Sequence, residues 1–205
     1  MVQNNKGMGR KYQVIYADPP WTYTLTGSVT NARGLAKQHY ETMPLDDICD
    51  LAVSDIATDN ALLFMWATFP MMAEALKTIE SWGFIYKTAA FVWVKQNSKS
   101  KTPFWGMGAY TRANAEVCLL AIRPKTKAKQ QVLSNSVHQL LFAPKTSHST
   151  KPPETRQLIE KLLGDVPRIE LFARSKTEGW DVWGNEVEND IILASTKQNN
   201  KEGED

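Results

Sequence analysis

The chain has few of the residues that hold metals and disulfides: 2 cysteines and 3 histidines in 205 residues. Cys49 and Cys118 stand far apart and form no CxxC pair, so neither a disulfide framework nor a zinc site is expected. His39, His138 and His148 lack metal-ligand spacing, and no metal is assigned. No apolar stretch approaches the roughly 20 residues that span a bilayer. Residues 1–10 are polar and unlike a signal peptide. A cytoplasmic protein is the resulting expectation. The Gly-x-Gly-x-x-Gly turn of many cofactor-binding α/β folds is also missing, since Gly106-Met107-Gly108 does not continue the pattern. Charge of one sign is scarce too. The net value of +2 is compatible with nucleic acid but does not point to it.

What is present begins at Asp18-Pro19-Pro20-Trp21. It follows an apolar run, Val14-Ile15-Tyr16-Ala17, that reads as a buried strand. These residue types suit the exocyclic amine of a flat base. Such an amine is a poor nucleophile because its lone pair is delocalised into the ring, and it has two N–H bonds to donate. Asp18 offers a carboxylate acceptor. Pro19 and Pro20 lack N–H groups, so the backbone there presents only carbonyls. Acceptors fixed in advance take up the positive charge that develops on nitrogen as a methyl group arrives. Trp21 offers a face for stacking the base. A structural alternative is a strand that ends in a Pro-Pro turn with Trp21 in the core.

The rest of the chain alternates strands with helices. Ala61 to Trp66, Tyr86 to Val94, Glu116 to Ile122 and Arg168 to Phe172 read as strands, and a further strand is expected near Val137 to Leu141. The Glu116 strand is expected to pair with the one before it. Met43 to Ala52 carries Leu45, Ile48 and Ala52 at helical spacing. Pro70 opens a helix with Met72, Ala75, Leu76 and Ile79 on one face. Pro153 to Leu163 forms another, capped by Gly164. The pattern predicts an α/β fold with a mostly parallel twisted sheet and helices on both faces. One domain over residues 11–188 is expected, after a flexible start at 1–10 and before a tail at 189–205 that reads as frayed. Ligands in such sheets sit at the carboxyl ends of strands, where Asp18 and Arg174 fall.

Asp-Pro-Pro-Trp after an apolar strand resembles the signature of amino-methyltransferases, in the form found in the MT-A70 family of adenine-N6 methyltransferases. Further segments resemble the family in its order. They include His39-Tyr40-Glu41-Thr42-Met43-Pro44, Leu62 to Thr68, Lys95 to Arg123, and Ser147-His148-Ser149-Thr150-Lys151-Pro152. Glu170 to Arg174, followed by Gly179-Trp180 and Gly184-Asn185-Glu186, resembles the closing block. The resemblance covers roughly residues 12 to 187. It implies a Rossmann-like class I methyltransferase fold in permuted order, with the amine-gripping motif first and the cofactor block last. It also implies S-adenosylmethionine as methyl donor. By position, Lys151 would face the donor's carboxylate, and Arg174, Asn185 and Glu186 would hold its ribose and amino-acid portion. Glu170 could contribute from its strand end, and Asp18 would serve both donor and base. Each of Lys151, Arg174 and Asn185 also has a plain reading: a solvated lysine, a structural ion pair and a turn. After Arg174, Ser175-Lys176-Thr177 replaces the His-Asn of some family members.

Two polar loops follow the candidate strands. Residues 22–40 carry Arg33 and Lys37. Residues 95–113 carry Lys99, Lys101, Trp105 and Arg112. These are the candidate contacts to nucleic acid, the cations for phosphate and Trp105 for a base. The reading is an S-adenosylmethionine-dependent adenine-N6 methyltransferase acting on DNA. RNA is the alternative polymer, and a non-catalytic nucleic-acid-binding partner subunit or a small-molecule amine methyltransferase is the alternative class. A homodimer, or a heterodimer with a related subunit, is compatible with the resemblance.

Overall fold

The computed structural model describes residues 9–22, 41–108, 110–127, 131–145 and 150–196. Arg33 and Lys37 lie outside the described residues. The strands are β1 (Tyr12–Ala17), β2 (Ala57–Ala67), β3 (Ile85–Gln96), β4 (Ala115–Ile122), β5 (Leu140–Pro144), β6 (Arg168–Leu171) and β7 (Asp181–Trp183). The helices are α1 (Leu45–Cys49), α2 (Val53–Ile56), α3 (Met72–Ser81) and α4 (Glu154–Leu163). Among the described residues the strands form one seven-stranded sheet in the order β5-β3-β4-β2-β1-β6-β7. Only β4 runs against its neighbours. It pairs antiparallel with both β2 and β3, and the remaining pairings are parallel. The expected local pairing of the third and fourth strands is therefore present. This is the mixed α/β architecture that the strand–helix alternation predicts, and it is consistent with the Rossmann-like fold that the resemblance implies.

β1 and β2 are apolar throughout their inner portions because both of their faces are covered. Ile15, Ala17, Leu63 and Met65 pack on one side with Ile48, Val53, Ala75 and Ile79 of α1–α3. Val14, Tyr16, Leu62, Phe64 and Trp66 pack on the other with Ile159 and Leu163 of α4. Trp82, just past α3, donates from its indole N–H to the Ile48 carbonyl at 2.8 Å and ties α3 to α1. Gly164 ends α4 with φ +79°, the left-handed turn that glycine adopts without strain.

Several boundaries differ from expectation. Met43 to Ala52 is not one helix. α1 ends at Cys49, and the chain re-enters helix at Val53 after Ala52 donates its N–H to the Ala194 carbonyl. Leu76 lies off the buried stripe of α3 and is 37% exposed, whereas Thr78 is buried and bonds the Glu74 carbonyl through its hydroxyl. β5 starts at Leu140, three residues later than the expected strand. The frayed stretch does not begin at residue 189. Ile191 is buried in the α1–α3 core, and Thr196 donates its N–H to the Asp50 carbonyl. The periodicity there is lost because the segment is held by single anchors and not by a repeating face. No helix among the described residues is long and apolar enough to cross a membrane.

Candidate active site

The chain leaves β1 at Ala17 with β2 on one side and β6 on the other. β2 follows β1 in sequence, while β6 arrives about 150 residues later. This reversal of winding opens a crevice at the carboxyl ends of the strands, the place where α/β sheets bind ligands. A cavity of about 420 Å³ lies there, lined by Asp18, Pro19, Pro20 and Trp21 from the end of β1 and Trp66, Ala67 and Thr68 from the end of β2. Phe172, Ala173 and Arg174 come from the end of β6, Asn185 and Glu186 from beyond β7, and Glu116 from the start of antiparallel β4. Glu41 and Lys151 complete the lining. The volume is within the range of small-molecule sites, about 300–1,000 Å³.

The tetrapeptide is held rigidly. The Trp21 N–H donates to the Pro19 carbonyl at 2.9 Å, and the Met43 N–H donates to the Pro20 carbonyl at 3.0 Å. A carbonyl oxygen has two lone pairs, so the Pro19 oxygen retains one acceptor position. Trp21 is 5% exposed, and its indole N–H points at the Trp66 carbonyl, 3.3 Å away. It belongs to the core and to the cavity wall at once, so the two readings of this residue are not exclusive.

Lys151 is at the centre of a network of charges. Its ammonium lies 2.8 Å from Asp18 and 3.3 Å from Glu116, and 5.8 Å from the centre of the Trp66 ring. Glu116 is gripped from its other side by Lys95 at 2.5 Å. Two carboxylates and two ammonium groups thus balance in a site where Lys151 keeps only 11% and Asp18 30% of its side-chain exposure. Burial pushes the Asp18 carboxyl above the usual aspartate value and Glu116 adds to that, while Lys151 works against both. Burial also disfavours ionisation of Glu116, but Lys151 and Lys95 outweigh it and hold Glu116 below the usual glutamate value. For Lys151 burial favours loss of the proton, but the carboxylates of Asp18 and Glu116 prevail and raise its pKa. The shifts of Glu116 and Lys151 both favour their charged forms.

The closing block meets the cavity through a close backbone crossing. A Cβ on Gly184 would lie 2.2 Å from the Ala173 carbonyl oxygen, so only glycine lets the chain after β7 pass the end of β6. Asn185 and Glu186 reach the rim as a result, and Glu186 pairs with Arg174 at 2.9 Å. Phe172 takes a left-handed φ of +60°, a costly conformation for a bulky residue. Its ring is fixed 5.5 Å from that of Trp183 and 6.5 Å from that of Trp82.

Eight of the expected site residues therefore line one cavity: Asp18, Pro19, Pro20, Trp21, Lys151, Arg174, Asn185 and Glu186. Glu170 does not. Its carboxylate turns to Arg156 of α4, which donates from Nη1 at 2.9 and 3.1 Å. Lys99, Lys101, Trp105 and Arg112 are exposed on the loop between β3 and β4 and do not line the cavity. Sequence reasoning overlooked Glu116 and Lys95. The signal was available, because Glu116 is the lone carboxylate in the apolar run of β4, and a buried charge in such a run calls for a partner.

Residues 12–186 match the MT-A70 family. The chain belongs to the MT-A70 family of adenine-N6 methyltransferases. It is 35% identical to the Type II methyltransferase M.MunI of Mycoplasma sp over 204 aligned residues, which span 92% of this chain and 83% of that protein. It is 28% identical to the human N(6)-adenine-specific methyltransferase METTL4, covering 87% of this chain and 38% of that protein. To the human N(6)-adenosine-methyltransferase catalytic subunit METTL3 it is 26% identical, covering 89% of this chain and 29% of that protein. The chain thus spans most of the first relative and well under half of the other two.

Proposed function

We propose that this protein transfers a methyl group from S-adenosylmethionine to the N6 amine of adenine in DNA. The observation that carries the reading is the juxtaposition of Asp18 and the Pro19 carbonyl with Lys151, Arg174, Asn185 and Glu186 around one cavity. The donor set suits the methyl donor. Its amino-acid end carries both charges and meets both here, with Lys151 for the carboxylate and acidic groups for the ammonium. Arg174 and Asn185 suit the ribose hydroxyls. When bound, S-adenosylmethionine supplies the methyl group on a sulfonium.

The protein's own residues work on the acceptor. Asp18 and the Pro19 carbonyl each accept one N–H of the adenine amine. That fixes the amine in line with the incoming methyl and shifts electron density onto nitrogen. The nitrogen would gain the methyl carbon as that carbon's bond to sulfur breaks, leaving a neutral thioether, and would release one proton through Asp18 to solvent, so no covalent enzyme intermediate is needed. Lys151 favours the ionised form of Asp18 against its burial and holds the carboxylate in place. Trp21 and Trp66 wall the pocket for the base, which must leave the stack to enter it.

DNA is favoured over RNA because the identity to the Type II methyltransferase, and the share of that protein covered, exceed those for the two human enzymes described above. The exposed cations Lys99, Lys101 and Arg112 would contact phosphate. Transfer of labelled methyl from S-adenosylmethionine to unmethylated DNA and to matched RNA tests the reading, with Asp18→Ala alongside. Label in N6-methyladenine of DNA, lost in the variant, is expected. Donor binding without transfer to either polymer would reject the assigned acceptor.

A further inference from the structure

The loop between β3 and β4 is anchored at the cavity. Lys95 near the end of β3 and Glu116 near the start of β4 are the ion pair that also contacts Lys151. Within the loop, Phe104 donates its N–H to the Lys95 carbonyl at 2.8 Å and lies under the Lys145 ammonium, 4.8 Å from its ring centre. The Asn114 amide bonds the carbonyls of Lys95 and Phe104. Above this base the Gly106 N–H meets the Ala113 carbonyl at 2.6 Å, which closes a narrow hairpin. A Cβ on Gly108 would fall 1.9 Å from the Thr111 carbonyl oxygen, so the tip is shaped by a glycine that nothing larger can replace.

This well-founded hairpin displays apolar side chains to solvent. Met107 is 90% exposed, Tyr110 fully so, and Trp105 67%. Residues 97–114 contain Lys99, Lys101 and Arg112 and no acidic residue. A tip of large apolar groups on a loop whose charged residues are all cations fits a polyanion with an apolar interior, which describes a base stack between phosphates. A base that swings out for chemistry leaves a gap, and proteins that unstack DNA insert apolar side chains into it.

We propose that Met107 and Tyr110 form a wedge that enters the stack of duplex DNA at the place the target adenine vacates, held there by Lys99, Lys101 and Arg112 on the phosphates. This rests on the DNA reading given above. The wedge is needed only for a paired and stacked base, so its loss separates duplex from single-stranded substrate.

The test measures single-turnover methyl transfer by the full chain and by the double variant Met107→Ala/Tyr110→Ala. Substrates are an unmethylated duplex and the same DNA as denatured single strands. The double variant should lose about tenfold or more on the duplex, since unstacking costs a few kcal/mol, and change less than about twofold on single strands. The single-strand rate also reports that the variant is folded. Equal losses on both substrates, or no loss on the duplex, would overturn the wedge. So would a change in oligomeric state of the variant by sedimentation, which would make a second protein chain the occupant of the loop. A native chain active on single strands alone would overturn the wedge and leave the DNA reading intact. A native chain inactive on both would overturn the DNA reading and the wedge with it.

Discussion

The Lys151 ammonium lies 2.8 Å from the Asp18 carboxylate, across 133 residues of chain. One member comes from the turn after β1, the other from the approach to α4. Lys151 is therefore more than a handle for a ligand. Removing its charge leaves Asp18 and Glu116 facing each other in a largely buried site. Lys151→Met should destabilise the protein by roughly 3 kcal/mol, at the low end of the range for breaking buried pairs because Asp18 keeps some water contact. Urea unfolding at neutral pH measures this. An effect within about 0.5 kcal/mol of zero would place Lys151 on the surface energetically.

The pH profile of methyl transfer follows from the same network. In the proposed reaction Asp18 is the stronger acceptor for the amine when ionised, and burial raises its pKa. Activity should therefore fall on the acid side with a midpoint above the ordinary aspartate value of about 3.9. Glu116 contributes to that rise. In Glu116→Gln a negative neighbour is gone, ionised Asp18 is easier to form, and the acid limb should move to lower pH. The rate at the plateau should drop, because Lys151 then pulls on Asp18 alone. An unmoved limb would show that Glu116 does not act on Asp18.

For stability the sign for Glu116 is fixed by its lowered folded-state pKa. Its contribution is fully present above the unfolded glutamate value of about 4.3 and is lost as pH falls through the folded value. Native protein should lose stability faster than Glu116→Gln as acid is added below about pH 4.5. Thermal melting of the two proteins over pH 3 to 7 would show the difference narrowing if the assignment is right.

Gly184→Ala is expected to weaken S-adenosylmethionine binding with little change in the sheet. The added carbon would meet the Ala173 backbone at 2.2 Å, and a backbone does not swing aside as a side chain does. The displaced residues are Asn185 and Glu186, at the rim. Calorimetric titration with the donor should show affinity reduced about tenfold or more, the scale of a misplaced positioning group. Unchanged affinity would remove this rim from the donor site.

Glu170→Gln should behave differently from the cavity residues. Its carboxylate is spent on Arg156, and the variant leaves that guanidinium buried without a counter-charge. A stability loss of about 3 kcal/mol is expected, with donor affinity near native at low temperature. Lost affinity in a folded variant would return Glu170 to the cofactor set.

How much of this was legible in the sequence depended on whether a feature was local. β1, β2 and β6 are short apolar runs that end in a turn or a change of residue type, and they read correctly. Pro153 and Gly164 bracket α4 because the start and stop of a helix are chemical events in single residues. The tetrapeptide, from its residue types, and the closing block, from the family resemblance, pointed to a common site, and Asp18 to Trp21, Arg174, Asn185 and Glu186 line one cavity. β7 was missed as a strand because three residues cannot show a period of two. The break between α1 and α2 depends on Ala52 bonding a residue more than a hundred positions away. The pairing of Glu170 was hidden for the related reason that its partner Arg156 sits on α4. Glu116 was visible as an oddity in β4, yet its role appears only when β3, β4 and the turn before α4 converge.

The placement of β1 between β2 and β6 has a consequence for synthesis. The Asp-Pro-Pro-Trp turn is made about 150 residues before β6, the strand that closes its other side. Until β6 arrives, the β1–β2 pair presents an open, apolar edge, the kind of surface that pairs with the wrong chain. A ribosome-bound chain that stops after β5 would carry Asp-Pro-Pro-Trp with no floor beneath it. Truncations that remove β6 should yield aggregates in place of slow enzymes.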